Sequence, residues 1–131
     1  MSEFRLRLGL DLPINGTPQQ TVHEAAAPKS VAVVGSDYIG LKPRMLVAEG
    51  DKVVRGMPLF SHKEAPNVMF VSPCKGRVRG IMRGARRVLQ SVIIDVDDSD
   101  DEGVNFGDTG SEGFQRDEVK KILFASGLWT P

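Results

Sequence analysis

Cysteine, histidine and aromatic side chains are scarce in this chain of 131 residues, which holds one cysteine, two histidines, one tryptophan and one tyrosine. The lone Cys74 excludes an intrachain disulfide and a cysteine-built zinc cluster. It sits between Pro73 and Lys75, and neither His23 nor His62 is spaced to serve it as a base, so no thiolate catalyst is in view. The two histidines and the scattered aspartates form no metal-ligand signature, and the acids of 97–102 lack the spacing of a calcium loop. Long apolar runs are missing too: none approaches the ~20 residues of a membrane-spanning helix. The stretch "MSEFRLRLGLDLP" alternates charged and apolar residues where a signal peptide would present an apolar core. Net charge is also absent, because 17 basic and 17 acidic side chains cancel, which removes any global pull toward nucleic acid or membrane. Together these absences predict a soluble, cytoplasmic protein whose membrane association comes through a partner.

What is present is a globular composition, 40% hydrophobic and 26% charged, sized for one domain with a modest core. Residues 4–8, "FRLRL", alternate as a strand would, and "GLDLPINGTP" then supplies a turn-rich connector. Residues 17–29 read as an extended loop and "SVAVVG" (30–35) as a short strand. From 44 to 97 the punctuation is regular, predicting strands at 44–48, 52–54, 57–61, 68–71, 76–82 and 88–96. Short strands at this spacing, divided by Gly and Pro, indicate a small all-β barrel or sandwich. Asp51 and Gly56 fit the recurring phrase of barrel-sandwich hybrids, the lipoyl/biotinyl-like fold. Val47, Leu59, Phe70, Val78, Val92 and Ile94 are its expected core. The domain is placed at 1–97, an acidic, Gly-rich linker at 98–113, and a helix at 114–131. In that helix Val119, Ile122 and Leu123 share a face and Gly127 ends it; we expect it to lead into a further, downstream domain.

Three stretches bear on chemistry. "EGDKVVRGMPLFSHK" (49–63) is how a swinging-arm carrier approaches its modified lysine, which would make Lys63 the attachment point. The Asp-Lys pair and the spacing to Ser72 that such a hairpin uses are missing, and Pro66 stiffens the turn. "VAVVGSDYIG" (31–40) imitates a dinucleotide fingerprint, but Asp37 stands where glycine is needed and Pro43 interrupts any helix beyond it. "KGRVRGIMRGARR" (75–87) holds six cations and no acid. Alternation puts Arg77, Arg79 and Arg83 on one face, with Val78, Gly80 and Met82 on the other. Phe60 and Phe70 are expected in the core, so no stacking platform for nucleic acid accompanies the cations. The turn at Arg83, Arg86 and Arg87 should project from the barrel, with Gly84 taking the positive φ. Guanidinium groups give planar, bidentate contacts to carboxylates and phosphates, so these three arginines are the candidate partner contacts. The competing possibility is that they pair internally with the acids of 97–102. The residues identify no catalytic, cofactor-binding or metal position.

Four phrases in order, "GLDLPINGTP", "LKPRMLVAEGDKVVRGMPLF", "GRVRGIMRGARRVLQSVIIDV" and "LFASGLW", resemble the N-terminal region of the A subunit of the sodium-translocating NADH:quinone reductase. The barrel phrase alone is also similar to the C subunit family of electron-transport complexes, whose iron–sulfur cysteine clusters have no counterpart here. The resemblance covers essentially all of this chain and about the first third of the family's full length. It implies a membrane complex that uses FAD, FMN, riboflavin and iron–sulfur centres to pass electrons from NADH to ubiquinone while exporting sodium. The A subunit would lie peripherally on the cytoplasmic face of the bacterial inner membrane, with the membrane-embedded B subunit as its principal partner. This portion would itself bind no cofactor and no nucleic acid, and would serve a structural, docking role. A carrier-type domain and an RNA-binding small β-barrel are the alternatives.

Overall fold

In the computed structural model the described residues are 15–97, 99, 102–107 and 115–129. The strand expected at 4–8 lies outside them. Among the described residues are seven strands: β1 (Ser30–Val34), β2 (Pro43–Met45), β3 (Lys52–Val53), β4 (Pro58–His62), β5 (Met69–Val71), β6 (Gly76–Arg83) and β7 (Leu89–Val96). An α-helix, α1, spans Arg116–Ala125. The strands form two antiparallel sheets in the orders β1-β7-β6-β3 and β2-β4-β5.

Alternation explains the burial. In β7, Leu89, Val92 and Ile94 point inward and meet Val78 and Val53 from the same sheet, with Leu59, Phe60 and Phe70 arriving from the other. All six expected core residues are buried, Val47 being the least so at 8% exposed. Phe70 lies stacked on Phe60 with ring centroids 4.7 Å apart, and the Tyr38 ring meets it edge-on at 4.6 Å.

Three register shifts alter the pattern that strict alternation predicts, one between Pro58 and Phe60 in β4 and two in the β6–β7 pair. The β6–β7 register slips between Val78 and Gly80 and again between Met82 and Arg83. The first slip reverses the phase of β6, so Ile81 packs against the core while Met82, expected beside Val78 and Gly80, is turned out to 43% exposure. Such an extra residue bends a strand and re-aims the side chains beyond it. The strand expected at 44–48 is also shorter. It ends at Met45 because residues 48–51 form a turn, held by Asp51 Oδ2 accepting from the Ala48 amide at 2.8 Å.

Helix α1 begins with a capping box between Gln115 and Glu118 and ends as expected at Gly127. Gly127 has φ +73°, and the Leu128 amide reaches back to the Leu123 carbonyl at 3.1 Å, the closure that a left-handed residue makes possible. A Cβ on Gly127 would lie 3.0 Å from Val71 Cγ2, so the helix end sits on the edge of β5. Within the 98–113 stretch, the Val104 amide donates to the Arg55 carbonyl at 2.8 Å and the Phe106 ring lies against Gly56.

Candidate functional site

The hairpin that would carry a prosthetic arm joins β4 to β5 through residues 63–68. Its first residue, Lys63, donates its amide to the Lys42 carbonyl at 2.7 Å. The preceding His62 is buried, with Nδ1 accepting from the Glu64 amide at 3.1 Å and Nε2 lying 3.4 Å from the Gly40 carbonyl. The Glu64 bond makes Nδ1 an acceptor and leaves the ring proton to Nε2. Lys42 pairs with Glu64 across the same junction, and that hydrogen bond and charge hold the Glu64 carboxyl below its ordinary range. The hairpin is thereby tied at three points to the loop after β1. Nothing in the sequence points to His62 as this link, because its partners are backbone atoms 2 and 22 residues away.

The dinucleotide-like stretch has another purpose. Gly35 opens a single 3-10 turn, Gly35–Asp37, and a Cβ there would lie 2.1 Å from the Leu89 carbonyl oxygen. The glycine permits close packing of this turn on β7. Cys74 is buried, its carbonyl accepting from the Ser72 hydroxyl at 2.7 Å. Among the described residues no three His, Cys, Asp or Glu side chains converge on one point, and no helix is long and apolar enough to cross a membrane.

The arginine turn closes the long β6–β7 hairpin. The Gly84 amide donates to the Val88 carbonyl at 2.8 Å, and the Arg87 amide to the Gly84 carbonyl at 3.1 Å. Arg83 Nη1 reaches the Arg87 carbonyl at 3.2 Å, so one guanidinium braces the loop that displays the others. The expected conformation is corrected here. Gly84 has φ −94°, whereas Arg86 and Arg87 have φ 54° and 61°. Gly84 is instead crowded by the Gln90 side chain, whose Nε2 would lie 2.9 Å from an added Cβ. Two consecutive arginines thus hold a backbone conformation that disfavours any side chain with a Cβ.

Among the described residues, no acid neutralises this turn internally. Asp97 and Glu102 lie at the opposite end of the hairpin, since β6 and β7 run antiparallel with Gly76 facing Val96 and Arg83 facing Leu89. Seven strand steps at ~3.3 Å put roughly 23 Å between the two ends. There, Glu102 pairs with Lys75 at 3.0 Å, and Ser99, through its amide and hydroxyl, holds the Asp97 carboxyl below its ordinary range. Asp98, Asp100 and Asp101 lie outside the described residues. Arg79 pairs with Asp95, and Arg77 donates to the Gly50 carbonyl, so the face of β6 expected to carry a continuous basic stripe is bound locally. Among the described residues, Arg83, Arg86 and Arg87 meet no carboxylate.

A carrier-type scaffold without its attachment sequence, closed by a basic turn, is a specific combination, and comparison with known proteins bears on it. Residues 4–97 match the family described as the NqrA N-terminal barrel-sandwich hybrid domain. The chain belongs to this family. It is 44% identical over 130 residues to the A subunit of the Na(+)-translocating NADH-quinone reductase of Serratia proteamaculans, a match covering 97% of this chain and 29% of the relative. The subunits of the same name from Alcanivorax borkumensis and Klebsiella pneumoniae are each 46% identical over the same coverage. The chain therefore spans less than a third of the length of these curated relatives. The fold expected from the sequence, a mainly β barrel-sandwich hybrid, is the family's fold.

Proposed function

We propose that the chain acts as the docking domain of the A subunit in a sodium-translocating NADH:quinone reductase, a complex that moves electrons from NADH to ubiquinone and exports sodium. On this reading FAD, FMN, riboflavin, the iron–sulfur centres and ubiquinone are handled by other parts of the complex. The domain contributes rigidity and contact, and α1 leads into the remainder of the same polypeptide. The assembly sits on the cytoplasmic face of the inner membrane beside the B subunit. The observation that carries the docking role is the arginine turn. Arg83, Arg86 and Arg87 are gathered in a strained, braced loop with no carboxylate partner among the described residues. Strained backbone persists where surrounding structure enforces it, and it concentrates where a surface has work to do.

Replacing Arg83, Arg86 and Arg87 together by glutamine in the full-length protein tests this. The expected result is a thermal stability within about 1 kcal/mol of wild type and weaker co-purification with the membrane subunits. Unchanged assembly and unchanged quinone reduction would overturn the docking role. The carrier alternative has one observation in its favour, the position of Lys63 at the head of the β4–β5 hairpin. Intact mass of protein from its native host decides it, since a lipoyl or biotinyl adduct would appear as an added mass. We expect none, because the lysine lacks its recognition context and its amide is tied to the neighbouring loop.

A further inference from the structure

Uncovered apolar side chains and cations without a carboxylate share one end of the four-stranded sheet. Ile39, in the loop after β1, is 96% exposed, and Val88, directly after the arginine turn, is 63% exposed. The two loops border one depression, which both residues line together with Leu41 and Leu89. Arg83, Arg86 and Arg87 stand beside Val88 in the same turn, and Asp37 is the single carboxylate in residues 35–42 and 83–88. Lys42, the fourth cation of these segments, is paired with Glu64; the remaining three cations against one acid, around projecting aliphatic side chains, are the pattern of a surface that meets an anionic bilayer: cations at the phosphates, apolar tips below them.

We infer that this end of the domain touches the membrane directly, with Ile39 and Val88 entering the interfacial layer of an anionic leaflet and Arg83, Arg86 and Arg87 binding lipid phosphates. The inference rests on the reading that the chain works within a membrane-bound complex, and it adds a lipid contact to the contact with protein subunits. Lipid is favoured over a protein partner by the form of the surface. Ile39 and Val88 project from two loops around one small depression, whereas a standard protein interface fits a matched face of about 800 Å² on each partner. A bilayer asks for no such complementarity, and each arginine near an anionic surface contributes roughly fivefold to partitioning.

Flotation of this chain with vesicles of phosphatidylcholine containing about 30% phosphatidylglycerol (roughly the charge of an anionic leaflet) tests the inference, with pure phosphatidylcholine vesicles as control. The chain should float with the anionic vesicles and not with the neutral ones, and raising NaCl from about 0.05 M to about 0.5 M should reduce binding tenfold or more. The double variant Ile39→Ser, Val88→Ser should bind about tenfold more weakly with unchanged circular dichroism and melting temperature, since both side chains are exposed. The triple arginine-to-glutamine variant should bind about a hundredfold more weakly. No flotation of the wild-type chain, or a serine variant that floats as wild type does, overturns the inference. If flotation fails while the arginine variant still loses co-purification with the membrane subunits, the turn binds protein and the docking reading stands alone. If flotation succeeds while that variant assembles normally, the lipid contact stands and the docking reading falls.

Discussion

Removing the ring of Phe70 should cost this domain much of its stability. The side chain is 4% exposed, stacked on Phe60 at an interplanar angle of 16° and met edge-on by Tyr38 at 72°. Phe→Ala in a core costs about 3–5 kcal/mol, and each lost aromatic pair accounts for about 0.5–1.5 kcal/mol of such a penalty. The void would open beside Phe60 and between two sheets whose strands are fixed by their ladders, so little collapse can refill it. The expected loss is therefore at the upper end, about 4–5 kcal/mol, against a total of roughly 5–15 kcal/mol for a typical domain. With a urea m-value of about 2 kcal/mol/M, the unfolding midpoint of Phe70→Ala should fall by about 2 M. Phe70→Leu, which restores most of the volume, should lose under about 2 kcal/mol. An alanine variant whose midpoint stays within about 0.3 M of wild type at the same m-value would refute the assignment of Phe70 to the space between the sheets.

Three further perturbations separate distinct causes. Gly76→Ala places a Cβ 2.0 Å from the Asp95 carbonyl oxygen and should cost at least about 2 kcal/mol in thermal unfolding, whereas Gly50→Ala, at φ +90° with open space around it, should lose only about 1 kcal/mol for its backbone. Arg86→Gly and Arg87→Gly should each leave the melting temperature unchanged or raise it by up to about 1 kcal/mol of stability, because relief of a left-handed φ offsets the entropy of glycine; a marked loss would mean that these side chains hold the fold. Lys42→Gln should return the Glu64 carboxyl to its ordinary range in an NMR titration. Because the folded-state value of Glu64 is depressed, the pair's contribution exists above the unfolded pKa and disappears as pH falls through the folded one. Wild type and variant should thus converge in acid and differ little at neutral pH, as befits an exposed pair.

The core was legible from the sequence because Val78, Val92 and Ile94 fall on the inward positions that alternation marks in β6 and β7, and the helix was legible because Gly127 supplies its own stop signal. The bulges were not. A single extra residue at Arg79 costs nothing in local pattern, and it shows only when β7 provides a register to slip against. The site was half legible: three arginines in one turn are visible as letters, but strict turn rules assign the positive φ to Gly84, whereas Gly84 has an extended backbone and the left-handed positions fall to Arg86 and Arg87. The separation of those arginines from Asp97 and Glu102 is equally invisible in a linear charge count, where they lie close; the antiparallel hairpin carries them to opposite ends. Ile39 and Val88 are 49 positions apart, and only the packing of the Gly35 turn on Leu89 brings them to one surface.

The order β1-β7-β6-β3 also dictates a timetable for synthesis. Ser30 pairs with Asp95 and Val34 with Ser91, so β1 leaves the ribosome roughly 60 residues before its partner strand. At about 5–20 residues per second it waits roughly 3–12 s as an apolar segment with neither edge hydrogen-bonded. The β6–β7 hairpin, by contrast, closes through a short local turn and can form within microseconds of emerging. The hairpin is therefore expected to form first, with β1 and β3 joining it afterwards across loops whose closure slows the search. The turn that displays Arg86 and Arg87 is consequently among the first parts of the molecule to take shape, and substitutions there should alter the folding rate more than the unfolding rate.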